Sequence, residues 1–132
     1  MQIAEIVLQA EEIAVYNDGA QAIYKNGEEK FNRITCVWQN MLSSARLMPA
    51  FGVSIDNLTR EAMKTGVWIE FLFSKEYVIN ELPFEKLLVQ AVKDYTGFNI
   101  NRCFDGGYNG RCFYINLNGK DMSELYNILI NE

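Results

Sequence analysis

Hydrophobic and polar positions along this 132-residue chain switch between two periods, and the switches predict its elements. Val67–Phe73, Val-Trp-Ile-Glu-Phe-Leu-Phe, is rich in β-branched and aromatic residues and too short for a typical helix, so it predicts a strand. Glu28–Ala45 places Phe31, Ile34, Trp38, Leu42 and Ala45 at steps of three and four, the stripe of an amphipathic helix. Its acidic start at Glu28 and Glu29, and Arg46 at its end, suit the helix dipole. Ile3, Ile6, Val7 and Ala10 follow helical spacing over a segment short enough to fit a strand as well; a helix is the reading adopted. Glu12–Tyr16 and Gln21–Lys25 flank the turn signal Asn17-Asp18-Gly19 and predict a hairpin.

Beyond the first long helix, Met48-Pro49-Ala50-Phe51-Gly52 interrupts the pattern. Ser54 or Asp56 then caps a second helix reaching Lys64, with Ile55, Leu58 and Ala62 expected inward and Gly66 as terminator. Asn80-Glu81-Leu82-Pro83 is read as opening a third helix, because a proline in the first turn loses no hydrogen bond. Phe84, Leu87, Leu88, Ala91, Val92 and Tyr95 form its expected core stripe, and Gly97 ends it. Asp121-Met122-Ser123-Glu124 resembles a capping box, opening a terminal helix with Met122, Leu125, Tyr126 and Leu129 on its apolar side.

The remaining stretch, Gly97–Leu117, alternates on either side of a glycine-rich turn and predicts a second hairpin. A loop centred between Gly107 and Tyr108 sets Cys103 opposite Cys112, Arg102 opposite Phe113 and Phe104 opposite Arg111. One face then carries both arginines with Ile100, Phe104, Phe113, Ile115 and Leu117, and the other carries Asn99, Asn101, Cys103, Cys112, Tyr114 and Asn116. The expected fold is a single α+β domain over residues 1–132. It is built on a single, mostly antiparallel sheet of about five strands with helices packed on one face.

Composition narrows the function more than it names it. An apolar content of 49% argues against disorder. A net charge of −5, with no run of Lys and Arg, weighs against nucleic acid as a partner. The chain has no histidine, which removes the commonest general base, the commonest zinc ligand and every Ser–His or Cys–His nucleophile pair. No catalytic residue, metal site or cofactor is therefore assigned. Cys36, Cys103 and Cys112 lack CxxC spacing. The start Met-Gln-Ile-Ala-Glu lacks the cationic segment of a signal peptide, and no apolar run approaches a membrane span. These features suggest a cytoplasmic protein with reduced cysteines and no membrane partner.

Three groups remain as candidate chemistry. Arg102 and Arg111, with Glu70 from the central strand, suggest a site for an anionic ligand if they converge; the plainer reading has the arginine stems covering apolar surface with their heads in water. Glu70 itself is either a buried carboxylate able to act as acid, base or arginine partner, or a residue on the solvated side of the sheet beside Trp68. Cys103 and Cys112 read as packed thiols more readily than as a redox pair, since the adjacent arginines point to the opposite face. The Met48–Val53 segment is either a packed connector or an apolar loop presenting Phe51.

The preferred function is a non-catalytic binding or regulatory module acting through protein–protein contacts, with Phe51, Trp68 and Tyr108 as contact residues. Its aromatic content suggests self-association, as a dimer, or a protein partner. The alternative is the anionic-ligand or enzymatic site on Arg102, Arg111 and Glu70.

Overall fold

The computed structural model describes residues 1–131. It is a mixed α+β structure. α1 (Gln2–Ile6) runs into a short 3-10 turn, Val7–Gln9, followed by the hairpin β1 (Glu12–Asn17) and β2 (Ala20–Lys25), then α2 (Glu29–Met41). The short strands β3 (Arg46–Met48) and β4 (Val53–Ser54) precede α3 (Asp56–Ala62). The long strands β5 (Val67–Ile79) and β6 (Leu82–Ala91) follow, then β7 (Gly97–Cys103), β8 (Gly110–Arg111), β9 (Phe113–Asn116) and α4 (Ser123–Ile130). Seven strands form one antiparallel sheet in the order β2-β1-β5-β6-β7-β9-β3, and β4 pairs with β8 in a separate ribbon. The sheet is thus larger than the five strands expected.

Of the two added strands, β3 is three residues long and β6, the longer, comes from a misread segment. Residues 82–91, expected as a helix, are β6, joined to β5 by a two-residue turn in which Asn80 and Glu81 both have positive φ (51° and 66°). That geometry matches the right-handed twist of a hairpin. The β5–β6 ladder runs from Val67↔Ala91 to Leu72↔Lys86, then slips to Tyr77↔Phe84 across a bulge. A bulge shifts the alternation of side chains. Phe84 and Leu87, three apart, therefore both join the main core, while Leu88 is buried in a different cluster. Those positions mimic a helical stripe in the sequence.

The first hairpin forms where the pattern places it, and α2 starts as expected but ends at Met41 rather than Ala45, so that Arg46 opens β3 instead of closing the helix. β1 and β2 pair from Glu12↔Lys25 to Asn17↔Ala20 around Asp18-Gly19, both at positive φ. α2 buries Phe31, Ile34, Trp38 and Met41, and α4 buries Leu125 and Leu129. These join Ile3 and Val7, and Ile69 and Phe71 of β5, in the main core. Trp38 is its hub: its ring meets Phe71 edge-on at 5.0 Å and Phe98 at 5.8 Å, and its indole N–H donates to the Ile3 carbonyl. Cys36, on the same helix, is exposed.

Where it stays in the sheet, Gly97–Leu117 keeps its expected faces but not its expected register. β7 and β9 pair as Gly97↔Asn116 through Ile100↔Phe113, so Phe113 opposes Ile100 rather than Arg102. The chain reverses earlier, at Asp105 and Gly106 (φ 53° and 82°), closed by reciprocal Phe104–Gly107 backbone bonds. It then leaves the sheet, and β8 pairs with β4 before β9 resumes. The offset is two residues, an even number, so the residues that remain in the sheet keep their sides, whereas Phe104 and Arg111, expected on the apolar face, leave the sheet and are exposed. Cys103 and Cys112 are buried free thiols, each held above its ordinary pKa by burial.

Candidate functional site

Alternation along β5 sends Val67, Ile69 and Phe71 into the main core and Trp68 and Glu70 to the opposite side. That side is not solvated at Glu70. Trp68, Leu88, Cys103 and Tyr108 form a second buried cluster, against which Tyr16 and Met63 pack. The excursion at 104–110 makes this possible, because it carries the Tyr108 ring under the sheet. Both oxygens of the Glu70 carboxylate accept from phenols: Oε1 from the Tyr16 hydroxyl at 2.9 Å, Oε2 from the Tyr108 hydroxyl in a short contact. Burial, reinforced by the carboxylate, pushes the Tyr16 phenol up to about 12 and the Tyr108 phenol well above its ordinary value.

α3 holds the excursion in place. The Tyr108 backbone N–H donates to Asp56 Oδ1 at 2.8 Å, and the Asp56 N–H donates to Asn109 Oδ1 at 3.0 Å. Arg60 Nε donates to both Asp56 oxygens, and its guanidinium lies over the Tyr108 ring, 5.7 Å from the centroid. The Tyr108 N–H first, and Arg60 second, hold the Asp56 carboxyl below its ordinary pKa. The helix buries Thr59, packs Met63 against the second cluster beyond its last turn, and sets Asp56 and the exposed Arg60 against the rim of the excursion. Ile55, Leu58 and Ala62, expected inward, face out instead.

The three proposed anion ligands are not brought together. Arg102 lies buried on the core side of β7, where Nε donates to the Arg111 carbonyl at 2.7 Å and Nη1 to the Pro83 carbonyl at 2.5 Å. Glu70 is on the other side of the sheet with its two tyrosines. The Arg111 side chain is exposed, opposite Val53 in the ribbon. Two of the three expected contact residues are also withdrawn: Trp68 and Tyr108 are buried, and the Trp68 indole donates to the Thr65 carbonyl.

Phe51 remains, 69% exposed, and it has company. Val53 is 71%, Ile55 52% and Leu58 65% exposed. Val53 and Ile55 flank buried Ser54, so the ribbon turns its polar residue inward and its apolar ones outward. Arg111 stands across the ribbon from Val53. The sequence offered the signal in Val53-Ser54-Ile55, an alternation that marks one apolar face without saying whether anything covers it. Tyr16 and Asn109 gave no such signal, since their partners lie 54 and 53 residues away.

Among the described residues, no group of three or more Cys, Asp or Glu side chains is placed to hold a metal ion, and no helix is long and apolar enough to cross a membrane. No family model, no curated protein and no solved structure matches the chain.

Proposed function

We propose that this chain is a non-catalytic binding module that acts through protein–protein contacts, with the Phe51–Leu58 segment as its contact surface. The carrying observation is the group of four apolar side chains, each more than half exposed, on a segment held by the β4–β8 ribbon and the Asp56 bonds to Tyr108 and Asn109. Exposed apolar side chains on a braced backbone lose little entropy on docking, which favours association. Arg111 supplies a cation at its rim, and aromatic residues and arginine are the types interfaces favour. The contact this surface most directly supports is a dimer of the chain itself. A cytoplasmic setting belongs to the same reading, supported by three free cysteines.

The anionic-ligand alternative loses its geometry, because Arg102 is engaged by two carbonyls and Glu70 by two phenols on the far side of the sheet. Sedimentation velocity at micromolar concentrations tests the dimer. The expected result is a concentration-dependent dimer that the combined Phe51→Ser, Val53→Ser and Leu58→Ser variant converts to monomer with unchanged circular dichroism. A wild-type monomer throughout, or a dimer indifferent to the three substitutions, overturns this surface as the contact.

A further inference from the structure

The β6–β7 ladder is short. It covers Lys86↔Cys103, Leu87↔Arg102 and Leu88↔Asn101. Beyond it, β6 runs on to Ala91 and β7 starts back at Gly97, and a groove of about 320 Å³ lies over the sheet there. Its side-chain walls are Trp68, Gln90, Tyr95, Asn99, Asn101 and Tyr114. None of these is charged, in a chain with 12 basic and 17 acidic residues. The volume falls at the small end of the ~300–1,000 Å³ range typical of ligand pockets.

Local packing shapes the groove. Gly97 lies beneath the Tyr114 phenol: a Cβ there would stand 2.9 Å from the Tyr114 hydroxyl and 3.0 Å from the Ile115 carbonyl oxygen, so glycine is required for that ring position. The Phe51 ring meets Tyr114 edge-on at 5.9 Å and braces it from outside. Gly52, at φ 83°, brings the same loop against the Asn99 carboxamide. Tyr95 is 47% exposed at the groove's rim. Asn101 Oδ1 accepts from the Cys112 thiol at 3.2 Å, while Gln90 and Asn99 make no side-chain hydrogen bond to protein among the described residues.

Three carboxamides, each both donor and acceptor, stand between aromatic rings. An ion would find no counter-charge here, and a purely apolar ligand would leave the amides unpaired. Asn99 and Asn101, two residues apart on one strand, are separated by roughly 6.6 Å. Carboxamides at successive same-face positions of one strand can each take a separate hydroxyl of one pyranose ring. Hydroxyls donate and accept as carboxamides do, and the C–H face of a sugar ring presents apolar surface to a phenol or indole.

We propose that this groove binds a neutral saccharide, its hydroxyls held by Gln90, Asn99 and Asn101 and its ring faces against Tyr95 and Tyr114. The test is a ¹⁵N–¹H NMR titration of the full chain with glucose, galactose, mannose, N-acetylglucosamine and their β-linked disaccharides, and with adenosine and uridine. The expected result is saturable shifts of the Gln90, Asn99 and Asn101 side-chain amides and the Trp68 indole with at least one saccharide. Affinity should fall by about tenfold or more in Asn99→Ala and in Tyr95→Ala, each with an otherwise superimposable spectrum. Both side chains are exposed, so their loss leaves the fold intact. No saturable shift with any saccharide at tens of millimolar, saccharide binding indifferent to both variants, or saturation by a nucleoside alone overturns the proposal.

Discussion

The two sides of β5 solve burial differently. Toward Trp38 the strand offers Ile69 and Phe71, and the contacts are apolar and ring-on-ring. Toward Tyr108 it offers Trp68 and Glu70, and the contacts include two phenols on a carboxylate. The first cluster needs volume and shape, so many apolar residues would serve. The second needs particular donors at particular places, because a buried carboxylate without them is costly. One side tolerates repacking and the other tolerates little change in chemistry.

The largest effect is expected where volume dominates. Trp38→Ala should destabilise the chain by about 3–5 kcal/mol in denaturant titration, and it also orphans the Ile3 carbonyl. A loss under about 1 kcal/mol would mean the apolar side is not close-packed around this ring. Arg102 is the polar exception on that side. Arg102→Ala should cost roughly 1.5–3 kcal/mol through its bonds to the Arg111 and Pro83 carbonyls, whereas exposed Arg111→Ala should cost less than about 1 kcal/mol. Equal costs would put the two arginines in equivalent settings and contradict the geometry.

Tyr108→Phe keeps the ring and removes one donor from Glu70, so a loss of about 1–3 kcal/mol is expected. Tyr16→Phe should cost less, since Tyr16 is only partly buried and water can replace it. If neither change registers, the chemistry on this side matters no more than its volume. Alkaline titration sharpens the same contrast. Tyr16 and Tyr108 hold their protons in the folded state after an unfolded tyrosine has begun to lose its own at the ordinary value of 10.0. Their contribution is complete below that pH and is lost as pH rises through it toward about 12, where Tyr16 ionises in the folded state. Unfolding midpoints measured over that window should fall with pH, and Tyr16→Phe should flatten the fall.

The apolar side was legible because its signal is local: Phe31, Ile34 and Trp38 repeat with the helical period whatever lies across from them. The polar side was not, because its meaning depends on distant partners. Glu70 reads the same on a solvated sheet face as it does bonded to Tyr108, and only the excursion at Asp105–Gly106 decides between them. β6 failed for a related reason. Its bulge sets Phe84 and Leu87 in the core three residues apart, and a bulge has no pattern until the partner strand is known. In Gly97–Leu117 the period gave the faces of the paired residues correctly while the turn centre was misplaced, so Arg102 was assigned the right strand and the wrong company, and Arg111 was assigned to a sheet it leaves. α3 reversed expectation because Asp56 and Arg60 face the Tyr108 excursion and hold it from the surface, leaving Ile55 and Leu58 outside.

The sheet ends in two unequal margins: β2, six residues long, and β3, three residues long. A filament grows when one edge of each copy ladders onto the other edge of the next, and its strength is set by the shorter of the two. Here that repeat would be limited to three residue pairs per junction. Two copies meeting through β2 would share a longer ladder and leave only the three-residue β3 margins free. The mismatch between the margins works against open-ended polymerisation.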